Sequence, residues 1–550
     1  MPRRRPTSKG PDTRFIFVAG GVMSGIGKGI TVASTARILK DAGFRVSAVK
    51  IDPYLNVDAG TMNPTEHGEV FVTDDGLETD QDIGNYERFL DQDLHRVNYM
   101  TQGSVYLSVI QRERALEYGG KCVEPHPHIM DEIRNRLVRA ARASRADILL
   151  VEIGGTVGEY QNALFLEAGR LMKLKMPGRV MFMLVSYFPV PQMIGEMKTK
   201  PTQNAVRQMQ AVGIQPDIII ARSEVPLDKR RKEKVSVFCN LAPDDVISAP
   251  DIKSIYDVPV NFEKDRLGRR IMEKFGLAAR RVDNRRWKSL VRTIHRASKP
   301  VRVGIVGKYF GTGDFVLSDS YLSVLEAVKH AAWTCGRSPE ISWLNAEAYE
   351  KDRKAVRELD GYDAVIVPGG FGSRGVEGKI AAIRHCRENG IPYLGLCYGM
   401  QLAVVEFARH VCKLANAHSP EVSPRTKHPV IHTMTEQVAN IAEGNMGGSM
   451  RLGAYRCRLS PGSRSRALYD REIISERHRH RYELNNEYRQ ILVDAGMRIG
   501  GVNPERDLVE IIELPDHPFF VGVQFHPELK SRPLAPHPLF VGLIRATVAK

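Results

Sequence analysis

The chain has 550 residues and a net charge of +15, and it is 43% hydrophobic and 26% charged. This length predicts two or three domains with ample cores, and the composition is ordinary for a globular protein in water. No apolar run approaches the ~20 residues that span a bilayer, and seven scattered cysteines predict reduced thiols and a cytoplasmic location. The positive charge suits nucleic acid or phosphorylated small substrates. Because no RNA-binding or zinc-finger motif stands out, we expect no nucleic-acid and no membrane partner.

The N-terminal segment predicts a tail followed by a strand, a loop and a helix. Residues 1–12 are basic and lack the apolar core of a signal peptide, so we expect a short disordered tail. The apolar run Arg14-Phe-Ile-Phe-Val-Ala19 predicts a short buried strand. A helical pattern with Ile30, Ala33, Ile38 and Leu39 on one side follows further along. Between strand and helix stands the stretch Gly20-Gly-Val-Met-Ser-Gly-Ile-Gly-Lys-Gly29.

This glycine-rich loop is a variant of the P-loop. Backbone N–H groups and the positive end of the following helix would face an anion, and Lys28 adds a full charge, so the loop suits a triphosphate. The strict pattern has Gly where Val22 stands and Ser or Thr where Gly29 stands. The missing hydroxyl normally holds Mg²⁺ beside the phosphates. If the loop binds ATP, carboxylates from elsewhere in the chain must therefore hold the metal.

Polar residues stand at the ends of the next predicted strands. The strand Arg45–Asp52 carries Lys50 near its carboxyl end, where open α/β sheets bind their ligands. The buried strand Asp147–Gly155 carries Glu152 before a Gly-Gly turn. An acidic residue in this place of a P-loop protein is typical of a Walker-B carboxylate, which holds Mg²⁺ directly or through water.

Two polar segments of the first half admit two interpretations each. Residues 56–82 are too polar and too turn-rich for a helix; their carboxylates either form an acidic surface loop or include the missing metal ligands. The stretch Gly195–Gln203 places Lys198 and Lys200 on either side of a threonine, before a proline that predicts a turn. It either binds a second polyphosphate or is an exposed basic loop.

The alternation of strands and helices predicts α/β architecture throughout, with parallel sheets covered on both faces. We expect a first domain over residues 13–275, with further strands at Arg179–Val185 and Asp217–Ser223. The strongly basic segment 276–300 predicts a connecting helix and linker. A second domain over 301–545 has predicted strands at Val301–Gly307, Ala364–Gly370, Tyr393–Cys397 and Phe519–Glu528. The predicted fold is two doubly wound domains.

A cysteine stands on a sharp turn of the second domain. Gly395-Leu-Cys-Tyr-Gly399 has the Gly-x-nucleophile-x-Gly pattern, whose small residues permit a strand-to-helix turn that exposes the thiol of Cys397. A helix N-terminus favours the thiolate. His526 and Glu528, on a late strand end, would supply a base and a group that orients it. Backbone N–H groups of Gly369-Gly370 and of the residue after the cysteine would form an oxyanion hole.

These motifs resemble known families. Gly395-Leu-Cys-Tyr-Gly-Met-Gln401 with Gln524-Phe-His-Pro-Glu528 resembles the class I, or triad, glutamine amidotransferases, which hydrolyse glutamine to glutamate and ammonia. From about residue 13 to residue 545 the chain resembles the CTP synthases. The motifs that carry this resemblance are Gly20-Gly-Val-Met-Ser-Gly-Ile-Gly-Lys-Gly-Ile30, Lys50-Ile-Asp-Pro-Tyr-Leu-Asn-Val-Asp58, His67-Gly-Glu-Val-Phe-Val72, Val151-Glu-Ile-Gly-Gly-Thr-Val-Gly158, Lys198-Thr-Lys-Pro-Thr-Gln203 and Glu476-Arg-His-Arg-His-Arg-Tyr-Glu483.

The resemblance implies an ATP-dependent amination of UTP to CTP. ATP would phosphorylate the 4-oxygen of UTP, and ammonia from the glutaminase domain would cross a channel and displace the phosphate. It implies a P-loop NTPase-like synthetase domain followed by a flavodoxin-like glutamine amidotransferase domain. The expected cofactor is Mg²⁺, with ATP as co-substrate. Expected partners are UTP, L-glutamine, GTP as an allosteric activator, CTP as product and inhibitor, and further copies of the chain in a homotetramer.

The resemblance also implies a role for individual residues. The catalytic triad would be Cys397, His526 and Glu528. The ATP site would comprise Ser24, Gly25, Ile26, Gly27, Lys28, Gly29 and Asp82. The UTP or CTP site would comprise Ser24, Lys50, Glu159, Gln161, Lys198, Lys200, Gln203 and Lys234. Glutamine would contact Gly370, Tyr398, Gln401, Glu421 and Arg481, and the metal ligands would be Asp82 and Glu152.

Some positions depart from the family pattern near the expected acceptor pocket. These are Val123-Glu-Pro-His-Pro-His128, Leu184 where the family has His, and Gly158-Glu-Tyr-Gln161. A glutamine-dependent amidoligase acting on another nucleotide or pyrimidine acceptor is therefore the alternative enzyme. An inactive relative that serves as an assembly scaffold is a further alternative. The intact Lys28 and Cys397 argue against the scaffold.

Overall fold

The structure is a computed structural model that describes residues 12–193, 195–278, 280, 282–307, 311–312, 315–316, 318–370, 372–434, 437 and 448–548. The expected N-terminal tail lies outside the described residues except for Asp12. The strands are β1 Arg14–Gly21, β2 Val46–Asp52, β3 Val70–Val72, β4 Glu78–Asp80, β5 Tyr99–Thr101, β6 Ile148–Ile153, β7 Val180–Tyr187, β8 Ile218–Ser223, β9 Val246–Pro250, β10 Lys299–Gly307, β11 Gly311–Thr312, β12 Phe315–Val316, β13 Arg337–Asn345, β14 Ala364–Val367, β15 Tyr393–Leu396, β16 Ile431–Thr433, β17 Arg451–Leu459, β18 Ile473–His480, β19 Tyr482–Leu484, β20 Arg498–Val502, β21 Val509–Glu513 and β22 Phe520–Val523.

The helices cover the faces of the two main sheets. They are α1 Lys28–Asp41, α2 Pro64–His67, α3 Asp82–Leu90, α4 Gln102–Arg114, α5 Met130–Ala143, α6 Ala163–Lys175, α7 Lys200–Ala211, α8 Lys229–Cys239, α9 Val258–Phe262, α10 Leu267–Lys274, α11 Arg285–Arg296, α12 Leu322–Thr334, α13 Ala346–Lys351, α14 Val376–Asn389, α15 Tyr398–His410, α16 Arg464–Tyr469, α17 Arg489–Asp494 and α18 Pro538–Val548. Among the helices of the described part of the chain, none has both the length and the apolar character needed to cross a membrane.

The chain forms two compact units, with a boundary between Val291 and Arg292. The segment Ala59–Gly84 belongs by its contacts to the second unit, although it interrupts the first one along the chain. Its contacts are specific. The Glu69 carboxylate accepts a hydrogen bond from the backbone N–H of Ser323 at 3.0 Å, and Arg479 donates to Glu78 at 2.8 Å. The sequence indicated only a polar loop here, because these partners lie hundreds of residues away.

The first unit is built on a parallel sheet with the strand order β5-β2-β6-β1-β7-β8-β9. Strand β1 is central and almost wholly buried, which is why its sequence reads as a continuous apolar run. Phe17 of β1 stacks on Phe182 of β7 at a centroid distance of 5.2 Å. Because all adjacent pairs are parallel, the loops after these strands meet at one edge of the sheet.

The second unit has a mixed sheet with the order β13-β10-β14-β15-β22-β21-β20-β17-β18. The pairs from β13 to β22 are parallel, and those from β22 to β18 are antiparallel. Alternate residues of a strand enter opposite cores, as Val365 and Ile366 do on β14. The parallel part confirms the predicted doubly wound class, and the antiparallel extension was not predicted.

Three local expectations are corrected. Pro201 does not form a turn but lies in the first turn of α7, where its fixed φ suits a helix and its missing N–H has no intrahelical partner to lose. Leu184 of β7 is fully buried in the core of the first unit, so its side chain cannot line an open acceptor pocket. The predicted strand ending at Glu528 stops at Val523, and a short 3₁₀ turn, Pro527–Lys530, follows His526.

Candidate active sites

Cys397 stands on a strained turn between β15 and α15. Its backbone angles are φ +48° and ψ −98°, a combination rarely adopted by a non-glycine residue, and its N–H donates to the Val523 carbonyl at 2.7 Å. The flanking glycines are needed because there is no room for a side chain. A Cβ at Gly399 would lie 2.1 Å from the Val367 carbonyl oxygen, and one at Gly395 would lie 2.6 Å from the Tyr393 hydroxyl. The turn therefore has the geometry of a nucleophile elbow.

His526 and Glu528 form a buried pair at the end of the neighbouring strand β22. The Nδ1 atom of His526 lies 2.7 Å from the Glu528 carboxylate. Burial lowers the pKa of His526, but the carboxylate of Glu528 and the sulfur of Cys397 outweigh it and raise that pKa well above its usual value. Cys397 raises the pKa of His526 both through its charge and as a hydrogen-bond partner. This arrangement favours the imidazolium form of His526 beside the nucleophilic sulfur.

A cavity of about 830 Å³ opens over the thiol, within the second unit. It brings together most of the residues predicted for glutamine hydrolysis and binding, namely Gly370, Cys397, Gln401, Glu421, Arg481, His526 and Glu528. Gly369 also lines it, and a Cβ there would lie 2.8 Å from the His526 ring. Tyr398 is buried, and its hydroxyl donates to the Gly372 carbonyl at 3.1 Å.

The polar residues of this cavity are held in place by neighbours. Arg481 donates to the side chains of Gln437 at 2.7 Å and Ser449 at 3.0 Å, and burial lowers the pKa of Arg481. Gln401 donates from Nε2 to the Tyr482 carbonyl at 2.7 Å. These bonds fix a guanidinium and an amide that face a common cavity, which suits recognition of an amino acid.

Sequence reasoning missed two residues that touch the thiol. The Sγ atom of Cys397 lies 3.8 Å from the Arg479 carbonyl oxygen and 3.6 Å from Nε2 of Gln524. Both belong to quoted motifs but were assigned no role. The signal was weak, because one contact uses a backbone atom and the other residue, Gln524, was quoted only as part of a family motif.

The phosphate loop of the first unit has the expected strand, turn and helix. Gly25 and Gly27 have positive φ angles of +71° and +88°, and Gly27 precedes α1 with no side chain capping its first N–H groups. Val22, where the strict pattern has Gly, also has a positive φ of +82°. The position therefore requires a glycine-like conformation that a β-branched residue adopts only with strain. Lys28 is buried, and its Nζ donates to the Gly155 carbonyl at 2.9 Å.

A buried charged cluster lies beside the loop at the ends of β2 and β6. The Nζ atom of Lys50 is 2.9 Å from the Glu152 carboxylate and 3.7 Å from the Asp52 carboxylate. Tyr86 donates to the other oxygen of Glu152, and Tyr99 donates to Asp52 at 2.9 Å. All three charged residues are at most 5% exposed. Buried charges of this kind are characteristic of functional sites in α/β sheets.

The remaining residues that were predicted to bind nucleotides do not form one cluster as Lys50 and Glu152 do. Lys198 pairs with Glu196 at 2.7 Å, and Gln203 is buried on α7 with its amide donating to Thr199. Helix α7 packs on the phosphate loop, because a Cβ at Gly21 would lie 2.7 Å from Ala205. Of the other residues predicted to bind nucleotides, Ser24, Gln161, Lys200 and Lys234 of α8 are exposed, whereas Ile26 and Gly29 are buried. The carboxylate of Glu159 accepts a hydrogen bond from Thr156.

One buried carboxylate of the first unit, that of Glu152, fits a magnesium ion. Mg²⁺ in a nucleotide site uses one or two carboxylates and takes its other ligands from phosphates and water. Glu152 is buried at the edge of the sheet where Lys28 lies, and its carboxylate oxygens can serve as one such ligand. Within the described residues, no group of three or more His, Cys, Asp or Glu side chains is arranged for a metal. Asp82, the first residue of α3, stays a predicted second ligand.

Comparison with known proteins agrees with this geometry. The family model "CTP synthase N-terminus" matches residues 14–277, and "Glutamine amidotransferase class-I" matches residues 316–546. The chain is 50% identical to a CTP synthase of Thermosynechococcus vestitus over 97% of both chains, and 50% identical to one of Thermococcus gammatolerans over 97% of this chain and 98% of that protein. The match to the glutaminase domain of Trypanosoma brucei CTPS with bound acivicin has 37% sequence identity and a TM-score of 0.42, and it covers 46% of this chain and 94% of that domain.

The fold and the elbow thiol define a class I glutamine amidotransferase, here joined to a synthetase of the P-loop type. The first half of the chain matches the synthetase model and the second half matches the amidotransferase model. The chain belongs to the CTP synthase family, glutamine-hydrolysing ligases that use ATP to aminate UTP to CTP.

Proposed function

We propose that the two units of this chain divide the synthesis of CTP, the second releasing ammonia from glutamine and the first activating UTP with ATP. The observation that carries this proposal is the elbow thiol of Cys397, which shares one cavity with the His526–Glu528 pair. A thiol nucleophile, a base and a carboxylate that orients the base are the minimum for acyl transfer from an amide.

Glutamine hydrolysis follows from the charges of the triad. The Cys397 thiolate attacks the side-chain amide carbon of glutamine, and the His526 imidazolium gives its proton to the departing nitrogen, which leaves as ammonia. A γ-glutamyl thioester remains on the sulfur. His526 then takes a proton from water, the hydroxide attacks the thioester, and glutamate leaves as the thiolate is restored. Glu528 keeps the imidazolium stable throughout.

The polar residues of the cavity suit the two ends of glutamine. The guanidinium of Arg481 is a natural partner for the α-carboxylate, and the carboxylate of Glu421 suits the α-ammonium group. Gln401 would fix the side chain of the substrate. Backbone N–H groups of Gly370 and Tyr398 would stabilise the oxyanion of the tetrahedral intermediate.

In the first unit, the 4-oxygen of UTP attacks the γ-phosphorus of ATP, and ADP leaves. Ammonia then adds to C4 of the 4-phosphorylated UTP, phosphate departs with the former oxygen, and one proton is released. The phosphate loop from Ser24 to Gly29 and Lys28 would hold ATP, and Lys50 would contact the phosphoryl group in transfer. Residues proposed for UTP or CTP are Ser24, Lys50, Glu159, Gln161, Lys198, Lys200, Gln203 and Lys234.

Magnesium would be held by Glu152 and Asp82. Bound there, the ion would offset the negative charge of the two polyphosphates during transfer. We further propose a domain division at residues 275 and 300, activation by GTP, inhibition by CTP, a homotetramer and a cytoplasmic location. These proposals rest on membership of the family.

A screen of acceptors tests the proposal against its alternative. Purified chain with ATP, Mg²⁺ and glutamine is offered UTP, dUTP and other pyrimidine nucleotides, and products are separated by chromatography. CTP formed preferentially from UTP supports the proposal, whereas amination of a different acceptor with no CTP from UTP would overturn it. Lys28→Met should abolish CTP formation from glutamine and from ammonia alike. Lys40→Met, in the last turn of the same helix, is the matched control and should retain both activities.

A further inference from the structure

A chain of buried polar residues runs from the interior of the second unit to the glutamine cavity, which His480 helps to line. Arg451 donates to Oε1 of Glu510 at 2.8 Å, and Oε2 of the same carboxylate lies 3.7 Å from Nε2 of His478. Nδ1 of His478 lies 3.0 Å from Nε2 of His480, and Nδ1 of His480 lies 2.9 Å from the carbonyl oxygen of Tyr482. All four side chains are nearly inaccessible to solvent.

The hydrogen-bond partners fix the proton on each ring. The carbonyl of Tyr482 only accepts, so His480 carries its proton on Nδ1 and presents a lone pair at Nε2. His478 must then donate from Nδ1, which leaves a lone pair on its Nε2. That nitrogen and Oε2 of Glu510 lie 3.7 Å apart, and neither has a hydrogen-bond partner among the described residues. The distance is longer than a hydrogen bond, but one proton between the two atoms removes the repulsion between their facing lone pairs.

The surroundings place this proton on Glu510. Burial lowers the pKa of both His478 and His480 well below the usual value, and the cation of Arg451 lowers it further. Burial raises the pKa of Glu510 to about 7 against the opposing effect of Arg451. The titratable and charged groups that face the chain from other elements are Arg451 and Cys457 of β17, Glu483 of β19 and His526 after β22.

The end of this buried series of residues that lies at His480 is part of the glutamine site. The Tyr482 carbonyl that accepts from His480 also accepts from Nε2 of Gln401 at 2.7 Å. The intervening residue, Arg481, carries the guanidinium proposed for the glutamine carboxylate, and the carbonyl of Arg479 faces the thiol of Cys397 at 3.8 Å. Residues 479–482 thus present several contacts to the substrate and the nucleophile from one short stretch of backbone.

We propose that Glu510, His478 and His480 are positioning residues for glutamine, a proton-linked chain that holds the backbone of residues 479–482 through the Tyr482 carbonyl. The proposal rests on the glutamine site described above. When Glu510 carries a proton, its O–H is directed at the ring lone pair of His478 across 3.7 Å. When that proton is lost, a carboxylate oxygen faces a ring lone pair, and the hold on the segment weakens.

Two substitutions of His480 in the full chain test the positioning role. His480→Phe keeps the ring and removes the donor to Tyr482, whereas His480→Asn keeps a donor near the position of Nδ1. For His480→Phe we expect a rise of about ten-fold in KM for glutamine, the effect of one lost hydrogen bond. CTP formation from ammonia should stay within about two-fold of wild type, and His480→Asn should recover most of the affinity for glutamine.

Glu510→Gln tests the proton. The amide retains a donor toward His478 and an acceptor for Arg451, but it does not titrate. The ratio of the wild-type KM for glutamine to that of Glu510→Gln should rise as the pH passes from one unit below to one unit above about 7. Taking this ratio cancels the titration of the substrate and of the triad.

Three results would overturn the proposal that Glu510, His478 and His480 position the glutamine site. These are an unchanged KM in His480→Phe, equal loss of the glutamine and ammonia reactions in that variant, and a KM ratio for Glu510→Gln that does not vary with pH. Equal loss would assign His480 to the folding of the unit instead. Hydrolysis of glutamine by the wild type, measured alongside, keeps the proposed function separate: its absence would refute that function rather than the role of His480.

Discussion

Replacing Lys50 by methionine would leave two buried carboxylates without their cation. Lys50 lies 2.9 Å from Glu152 and 3.7 Å from Asp52, and each of the three residues is at most 5% exposed. Removing one partner of a buried ion pair costs about 3–5 kcal/mol, because the remaining charge is neither solvated nor paired. The two tyrosine hydroxyls that donate to these carboxylates offset only part of this cost.

The expected result is a large fall in the stability of the first unit. A unit of this size loses roughly 2–4 °C in Tm for each kcal/mol, so calorimetry should show a decrease of roughly 6–20 °C for Lys50→Met. Arg45→Met is the matched control: it removes a cation that is 65% exposed from the Arg45–Asp147 pair at 2.6 Å, which is worth about 0–1 kcal/mol. The double variant Lys50→Met with Glu152→Leu should regain part of the lost stability.

The same variants separate stability from chemistry. We expect Lys50→Met to lose CTP formation from both nitrogen sources while the second unit still hydrolyses glutamine. The reasoning would be refuted if Lys50→Met lost no more stability than Arg45→Met, since the cluster would then be solvated or uncharged. Stability fully restored in the double variant together with normal CTP formation would refute the assigned role of both residues.

The remaining predictions concern the two strained turns and the triad. Val22→Gly should raise the Tm of the first unit slightly, because a β-branched residue at φ +82° costs roughly 1–2 kcal/mol; a lower Tm would mean that the Val22 side chain is needed. Gly399→Ala should reduce glutamine-dependent CTP formation at least ~100-fold, because its Cβ would meet the Val367 carbonyl and displace the elbow. Gly361→Ala, where the Cβ has open space, is its control. Glu528→Gln should lower the pKa of His526, because burial then acts without the opposing carboxylate, and the alkaline limb of glutamine hydrolysis should move to lower pH.

The sequence predicts those parts of the molecule that are encoded locally. The buried strands, the phosphate loop and the elbow each lie within about ten consecutive residues, where apolar runs and glycines carry the signal. Even the departure at Val22 was visible, although only the backbone angle shows that the residue takes the conformation of the glycine it replaces.

Features that depend on distant partners could not be predicted in this way. The packing of Ala59–Gly84 with the second unit rests on ion pairs such as Arg479–Glu78, between residues 401 positions apart. The histidines of the Glu476–Glu483 motif were recognised only as part of a family pattern. That they form a buried series with Glu510 depends on the approach of β18 to β21, two strands that are not neighbours in the sheet, and no local pattern indicates it.

The most direct test of the division between two sites is Cys397→Ala assayed with each nitrogen source. We predict that CTP formation from glutamine falls to background, because no thiolate remains to attack the amide, while CTP formation from ammonia stays near the wild-type rate. Cys412→Ala, a partly exposed cysteine of the same unit, should support both reactions. Loss of both reactions in Cys397→Ala, or glutamine-dependent synthesis that survives it, would contradict the account.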